Sequence, residues 1–91
     1  MGDDTINWEQ IFAALQPASR LSLLMLIAAE PGKRHKELSL RSGLAGTCWH
    51  HLQVLVRAGL VTRDDVDKND VRYYVNKPRV QQVIGLLSKL L

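Results

Sequence analysis

Helix breakers cut this chain into short pieces, and their spacing limits it to a stack of small elements. Pro17, Glu30-Pro31-Gly32, Ser42-Gly43, Gly59 and Pro78 all fall between apolar-periodic runs. A proline cannot continue a helix that reaches it, because its ring fixes φ and removes the donor, and a glycine relaxes easily into the left-handed geometry that ends one. No long coiled coil or spanning helix can be built from such segments. The most apolar stretch, Leu21 to Ala29, interrupted by Ser22, is far shorter than the roughly 20 residues a bilayer span needs. It is expected to be a buried helix. At 91 residues, 46% hydrophobic and 23% charged, the sequence has globular composition and the length of one domain over 1–91. Small folds often gain stability by oligomerising, which makes a dimer an expectation from the start.

Each piece carries its own period. Asp4 or Thr5 can cap a first helix, in which Trp8, Ile11, Phe12 and Leu15 recur at helical spacing up to about Gln16. Ser19 is a candidate cap for a second helix running to Ala29, and a two-turn helix from His35 to Arg41 ends near Ser42-Gly43. Between Gly46 and Ala58, Cys48, Leu52 and Leu55 stand at i, i+4 and i+7, so one side packs and the other faces solvent. Gly59 stops that helix, and Leu60-Val61-Thr62-Arg63 begins a β-branched run. Val71 to Val75 is its natural partner, with the Asp- and Asn-rich stretch Asp64 to Asp70 expected as the connecting turn. Pro78 opens a last helix with Val80, Val83, Ile84, Leu87, Leu90 and Leu91 on a stripe. The predicted fold class is mainly α with a small β-hairpin: five helices and a two-stranded wing over 61–75, the order of a winged helix-turn-helix.

Charge is unevenly placed. Residues 1–30 carry a balance of −3, residues 31–63 of +5, residues 64–70 of −3 and residues 71–91 of +4. A basic block inside a nearly balanced chain suits phosphate backbones. The single cysteine, Cys48, cannot form an internal disulfide and no apolar leader opens the sequence, which gives a cytoplasmic expectation. Asp65, Asp67 and Asn69 have the spacing that opens a calcium loop, but Asp70 replaces the required glycine and Asn76 the closing glutamate, so a polar turn is expected. No Ser-His-Asp spacing, phosphate-cradling glycine loop or HExxH pair is present, so neither catalytic residues nor a cofactor or metal is expected, and the chain does not read as an enzyme.

Three segments are similar to the ArsR-type family of winged-helix transcriptional regulators: Pro17-Ala18-Ser19-Arg20-Leu21-Ser22-Leu23-Leu24, His50-His51-Leu52-Gln53-Val54-Leu55-Val56-Arg57-Ala58-Gly59-Leu60-Val61, and Arg72-Tyr73-Tyr74-Val75. The resemblance spans roughly residues 10 to 76. It implies a homodimeric repressor that sets the helix 46–58 of each copy into successive major grooves of a two-fold symmetric operator, with the wings on adjacent backbone or minor groove. It also implies a dimer interface on the first and last helices, here Trp8, Ile11, Phe12, Val80, Val83, Ile84, Leu87 and Leu90. Departures are specific. Lys33, Arg34 and His35 stand where metal-sensing members carry a Cys-x-Cys pair, and the last helix holds no acid or histidine. The segment between Leu44 and His50 is one residue short of the common pattern, with Trp49 where a small polar residue is usual. Four aspartates at the wing tip suit a loop turned away from DNA.

Thr47, Trp49, His50 and Gln53 are the expected base contacts, since glutamine can pair with adenine and threonine can touch a thymine methyl. Lys36, Arg57, Arg63 and Arg72 are the expected phosphate contacts, followed by Arg20, Arg41 and Lys33. His51 is expected to be partly packed, and Cys48 to be a small core residue. Two other readings stay open: a module of the same shape that binds an unidentified protein or RNA through Trp49, and a redox or metal sensor built on Cys48 and the histidines. Double-stranded DNA and a second copy of the chain are the expected partners, and no membrane.

Overall fold

The computed structural model describes residues 6–91. Eight short elements follow in order: α1 (Trp8–Leu15), α2 (Ala18–Ala29), α3 (His35–Ser42), a single 3-10 turn (Ala45–Thr47), α4 (Cys48–Arg57), β1 (Val61–Asp67), β2 (Asp70–Val75) and α5 (Lys77–Ser88). The fold is mainly helical with one antiparallel hairpin. The breaks at Pro17, Pro31-Gly32, Gly43 and Gly59 fall between elements, whereas Pro78 lies in the first turn of α5. Pro17 separates α1 from α2, which meet at 94°. Gly43 closes α3 at φ +73°, and Gly59 ends α4 at φ +78°, where the Leu60 amide donates back to the Leu55 carbonyl at 3.0 Å.

The caps differ from expectation. Asp4 and Thr5 lie outside the described residues, and the cap of α1 is Asn7, whose side chain accepts from the Gln10 amide at 3.0 Å. Ser19 caps nothing: α2 starts at Ala18, with Pro17 in the cap position and no side-chain bond. Proline there fixes the extended backbone that a helix start needs, so the helix begins two residues earlier than a serine cap would allow. The helix expected over 46–58 is shorter, because residues 45–47 wind into the tighter 3-10 turn before α4 begins at Cys48. Likewise α5 opens at Lys77, one residue ahead of Pro78, under a cap from Asn76.

One core joins the five α-helices and the hairpin. Ile11 and Ala14 of α1, Leu23 and Ile27 of α2, Leu38 of α3, Cys48, Leu52 and Leu55 of α4, Leu60 and Val61 at the root of the hairpin, Tyr73 of β2 and Val83 of α5 are buried together. The i, i+4, i+7 spacing of α4 lands as expected, with Cys48, Leu52 and Leu55 fully shielded. Against expectation α2 is not buried all round. It packs on α1, α3, α4 and β2, yet Leu21 and Met25 stay exposed on its outer side, at 44% and 64%. A helix one turn from each neighbour can bury only the stripe it presents to them.

The hairpin departs most from the sequence reading. Asp64 to Asp67 are strand, not turn, and only Lys68 and Asn69 make the reversal, next to a bulge between Asp65 and Asp67. Almost all of β1 past Val61 is exposed, so aspartates meet water there rather than a core and incur no burial cost. A third strand-like piece was not foreseen. Gly32 and Lys33, just after the Pro31 break, pair with Tyr73 through two backbone bonds of 3.0 Å, which ties the hairpin to the helical layer. Proline removed one donor, but the next two residues supply a ladder to β2.

Candidate nucleic-acid interface

The turn between α3 and α4 is tied down by short polar side chains. Ser39 Oγ donates to the Ala45 carbonyl at 3.0 Å, and the Leu44 amide donates to Ser42 Oγ at 3.2 Å. Thr47 donates its hydroxyl to the Leu44 carbonyl at 2.8 Å and its amide to the same carbonyl at 3.1 Å. Ala45 sits at φ +50°, a left-handed conformation that L-residues with a Cβ disfavour. These bonds compensate for it and fix the angle at which α4 leaves the turn.

From that turn α4 presents Thr47, Trp49 and His50 to solvent at its amino-terminal end, with Trp49 54% exposed. These three expected base contacts share one exposed surface. Gln53 does not join them fully. It is half-buried near the Tyr73 phenol, and its Nε2 is shielded with no hydrogen-bond partner among the described residues. His51 is half-buried beside His50, the ring centroids 5.7 Å apart. Burial first, then the charge of Arg20 and the neighbouring His50, holds the His51 pKa below its usual value. Burial also pushes the Cys48 thiol up, against a smaller opposing pull from Ser42. A shielded, protonated thiol is a poor nucleophile, which weighs against a redox sensor there.

The expected phosphate contacts fall into two sets. Lys36 and Arg57 are exposed and have no ion pair among the described residues. Arg57 is at the far end of α4 from Trp49, facing a cleft it shares with Arg20. Arg63 and Arg72 are held by the hairpin's own acids. Arg63 donates to Asp65 at 3.0 Å, and Arg72 grips Asp70 with two nitrogens, at 3.1 and 3.3 Å, while reaching the Gly32 carbonyl at 3.4 Å. Arg41 is paired with Glu30. Arg34, not among the expected contacts, donates its Nε to the same Asp70 oxygen at 3.0 Å. Hydrogen bonds from Arg72 and then Arg34 pull the Asp70 pKa down, and Asp70 in turn raises that of Arg72. Asp70 is thus an organising anion between the start of α3 and the hairpin. A signal for it did exist, since an acid two residues before an arginine on a strand places both on one face.

The interface stripe also separates into two. Ile11 and Val83 are buried in the core of the chain itself and have no surface to offer a second copy. Trp8 and Val80 are half-buried against that core. Phe12, stacked on Trp8 at 6.1 Å, and Ile84, Leu87 and Leu90 remain exposed. Their position follows from the helical period: a stripe wider than the contact leaves its flank outside.

Among the described residues no single helix is long and apolar enough to cross a membrane. Compared with protein-family models, with curated proteins and with solved structures, the chain finds no match in any of the three.

Proposed function

We propose that this protein is a winged helix-turn-helix regulator of transcription that resembles the ArsR-type family, acts as a homodimer in the cytoplasm and represses by occupying a two-fold symmetric operator. In this reading α3, the 3-10 turn and α4 are the helix-turn-helix, and the hairpin is the wing. The observation that carries it is α4 itself. Its inner face is locked into the core by three fully buried side chains, while Thr47, Trp49 and His50 stand exposed on its leading end. A rigid helix displaying polar and aromatic groups is what reading base edges in a major groove requires. Exposed Phe12, Ile84, Leu87 and Leu90 supply the apolar surface for self-association, and Lys36 and Arg57, without an ion pair among the described residues, supply cations for phosphates.

The experiment is selection of binding sites from random double-stranded DNA, followed by affinity measurements over a salt series. A two-fold symmetric motif is expected, lost when Thr47, His50 and Gln53 are changed together to alanine. Binding should weaken with salt at a log-log slope of about 0.9 for every phosphate neutralised. A second reading, a winged-helix module for a protein or RNA partner, draws on two observations: half the surface of Trp49 is bare, and the wing's arginines are already neutralised by Asp65 and Asp70. Failure to enrich any duplex at low salt would favour it.

A further inference from the structure

We propose that the cleft where α1, α2 and α4 meet binds a small oxyanion, a phosphate or carboxylate group, between the guanidinium groups of Arg20 and Arg57. The site is separate from the Thr47-Trp49-His50 surface and does not depend on that surface reading DNA. The cleft holds about 290 Å³, with Gln10, Ala13 and Ala14 of α1 on one wall and Val54 on another. The space exists because α1 turns two alanines toward α4 where longer side chains would fill it.

Two features give the cleft its chemistry. Arg20 Nε is shielded from solvent and has no hydrogen-bond partner among the described residues. A guanidinium never loses its proton in a protein, so a shielded N–H without an acceptor is a standing demand for one. Arg57 faces the same space, and among the described residues neither it nor Arg20 is in an ion pair, whereas Arg34, Arg41, Arg63 and Arg72 each hold a carboxylate. Two forks of N–H donors are a set of groups matched to oxygen anions. Size narrows the ligand. With about 30 Å³ per water molecule, the cleft takes an anionic head group and a few waters, and lies at the lower edge of ordinary ligand pockets. Because Val54 and Arg57 belong to α4, an occupant would touch the same helix that carries the exposed leading end.

The test uses isotope-labelled full-length protein without DNA, titrated with inorganic phosphate while sodium chloride keeps the ionic strength constant. Saturable shifts at the Arg20 Nε–H and the amides of Val54 and Arg57 are expected, with a dissociation constant of about 1 mM or tighter. Arg20→Gln and Arg57→Gln should each weaken binding by about tenfold or more, with Arg20→Lys intermediate and Arg41→Gln without effect. Arg57 is exposed, so its variant keeps the fold even if Arg20→Gln melts early. Shifts that never saturate, or that survive both glutamine variants, overturn the proposal. Adding duplex DNA to the phosphate-saturated protein then separates the two sources of the oxyanion. Displacement of phosphate identifies a DNA backbone phosphate as the occupant, and simultaneous binding identifies a free one.

Discussion

Asp70→Asn tests whether the wing faces a phosphate backbone. In the native chain one carboxylate neutralises part of two guanidiniums, with Arg34 at 3.0 Å and Arg72 at 3.1 Å from the same oxygen. Asparagine keeps the shape and removes the charge, leaving both arginines without their anion. Each guanidinium that moves from Asp70 to a DNA phosphate steepens the salt dependence by about 0.9, so two add about 1.8 to the log-log slope. Each halving of the salt then brings about 3.5-fold more affinity than the same halving brings the parent protein. Fluorescence anisotropy of a labelled duplex at four or more salt concentrations reads this directly. Asp67→Asn is the matched control, since it changes net charge equally, frees no arginine and retains an oxygen to accept the Lys68 amide. Thermal melts should show Asp70→Asn to be less stable but folded, because the brace to α3 is exposed and only one contact among several. If its slope moves no further than that of Asp67→Asn, Arg34 and Arg72 do not reach phosphates and the wing does not face the backbone.

Other consequences are accessible to simple measurements. Leu87→Asp puts a charge on the exposed apolar stripe and should weaken self-association by about a hundredfold, seen as monomers in sedimentation velocity; an unchanged dimer would place the interface elsewhere. Leu52→Ala empties a fully buried site and should cost about 2 to 5 kcal/mol in denaturant unfolding. Ala45→Gly relieves the left-handed backbone at φ +50° and should stabilise by about 1 kcal/mol, offset in part by the freer unfolded chain. Because the His51 pKa is lowered on folding, the unfolded chain binds its proton more readily. Stability is therefore full above the unfolded value of about 6.5 and declines as pH falls through the folded one. His51→Gln should flatten that decline in the denaturation midpoint between about pH 8 and pH 5.

What the sequence made legible was punctuation and period. Prolines and glycines act within one or two residues, so the divisions between helices could be read from Pro17, Pro31-Gly32, Gly43 and Gly59, and the spacing of Cys48, Leu52 and Leu55 is a local fact about one helix. The misses share a different cause. Gly32 and Lys33 pair with Tyr73 across some 40 residues, and nothing in either stretch names the other. The aspartates of 64–67 looked like a turn because turn propensity assumes a chain that must avoid burial, whereas an exposed strand imposes no such condition. In the candidate site, the exposure of Thr47, Trp49 and His50 followed from helical phase. The withdrawal of Gln53 toward Tyr73, and the capture of Arg72 by Asp70, depend on where the hairpin folds back, which no period encodes.

Asn76 lies where three parts of the molecule come together. Its amide donates to the Leu60 carbonyl at 2.9 Å, its side-chain nitrogen to the Gly59 carbonyl at 2.8 Å, and its side-chain oxygen accepts from the Arg79 amide at 3.4 Å. One residue therefore clasps the exit of α4, the root of β1 and the first turn of α5. Beyond it α5 contributes only Val83 to the buried core, so the helix is a lever with a stiff hinge and a long free arm. In any assembly built through that arm, its tilt reaches α4 through a two-residue linkage with little slack to absorb it. The distance between the two copies of α4, and so the spacing of whatever they grip, would be set at this hinge.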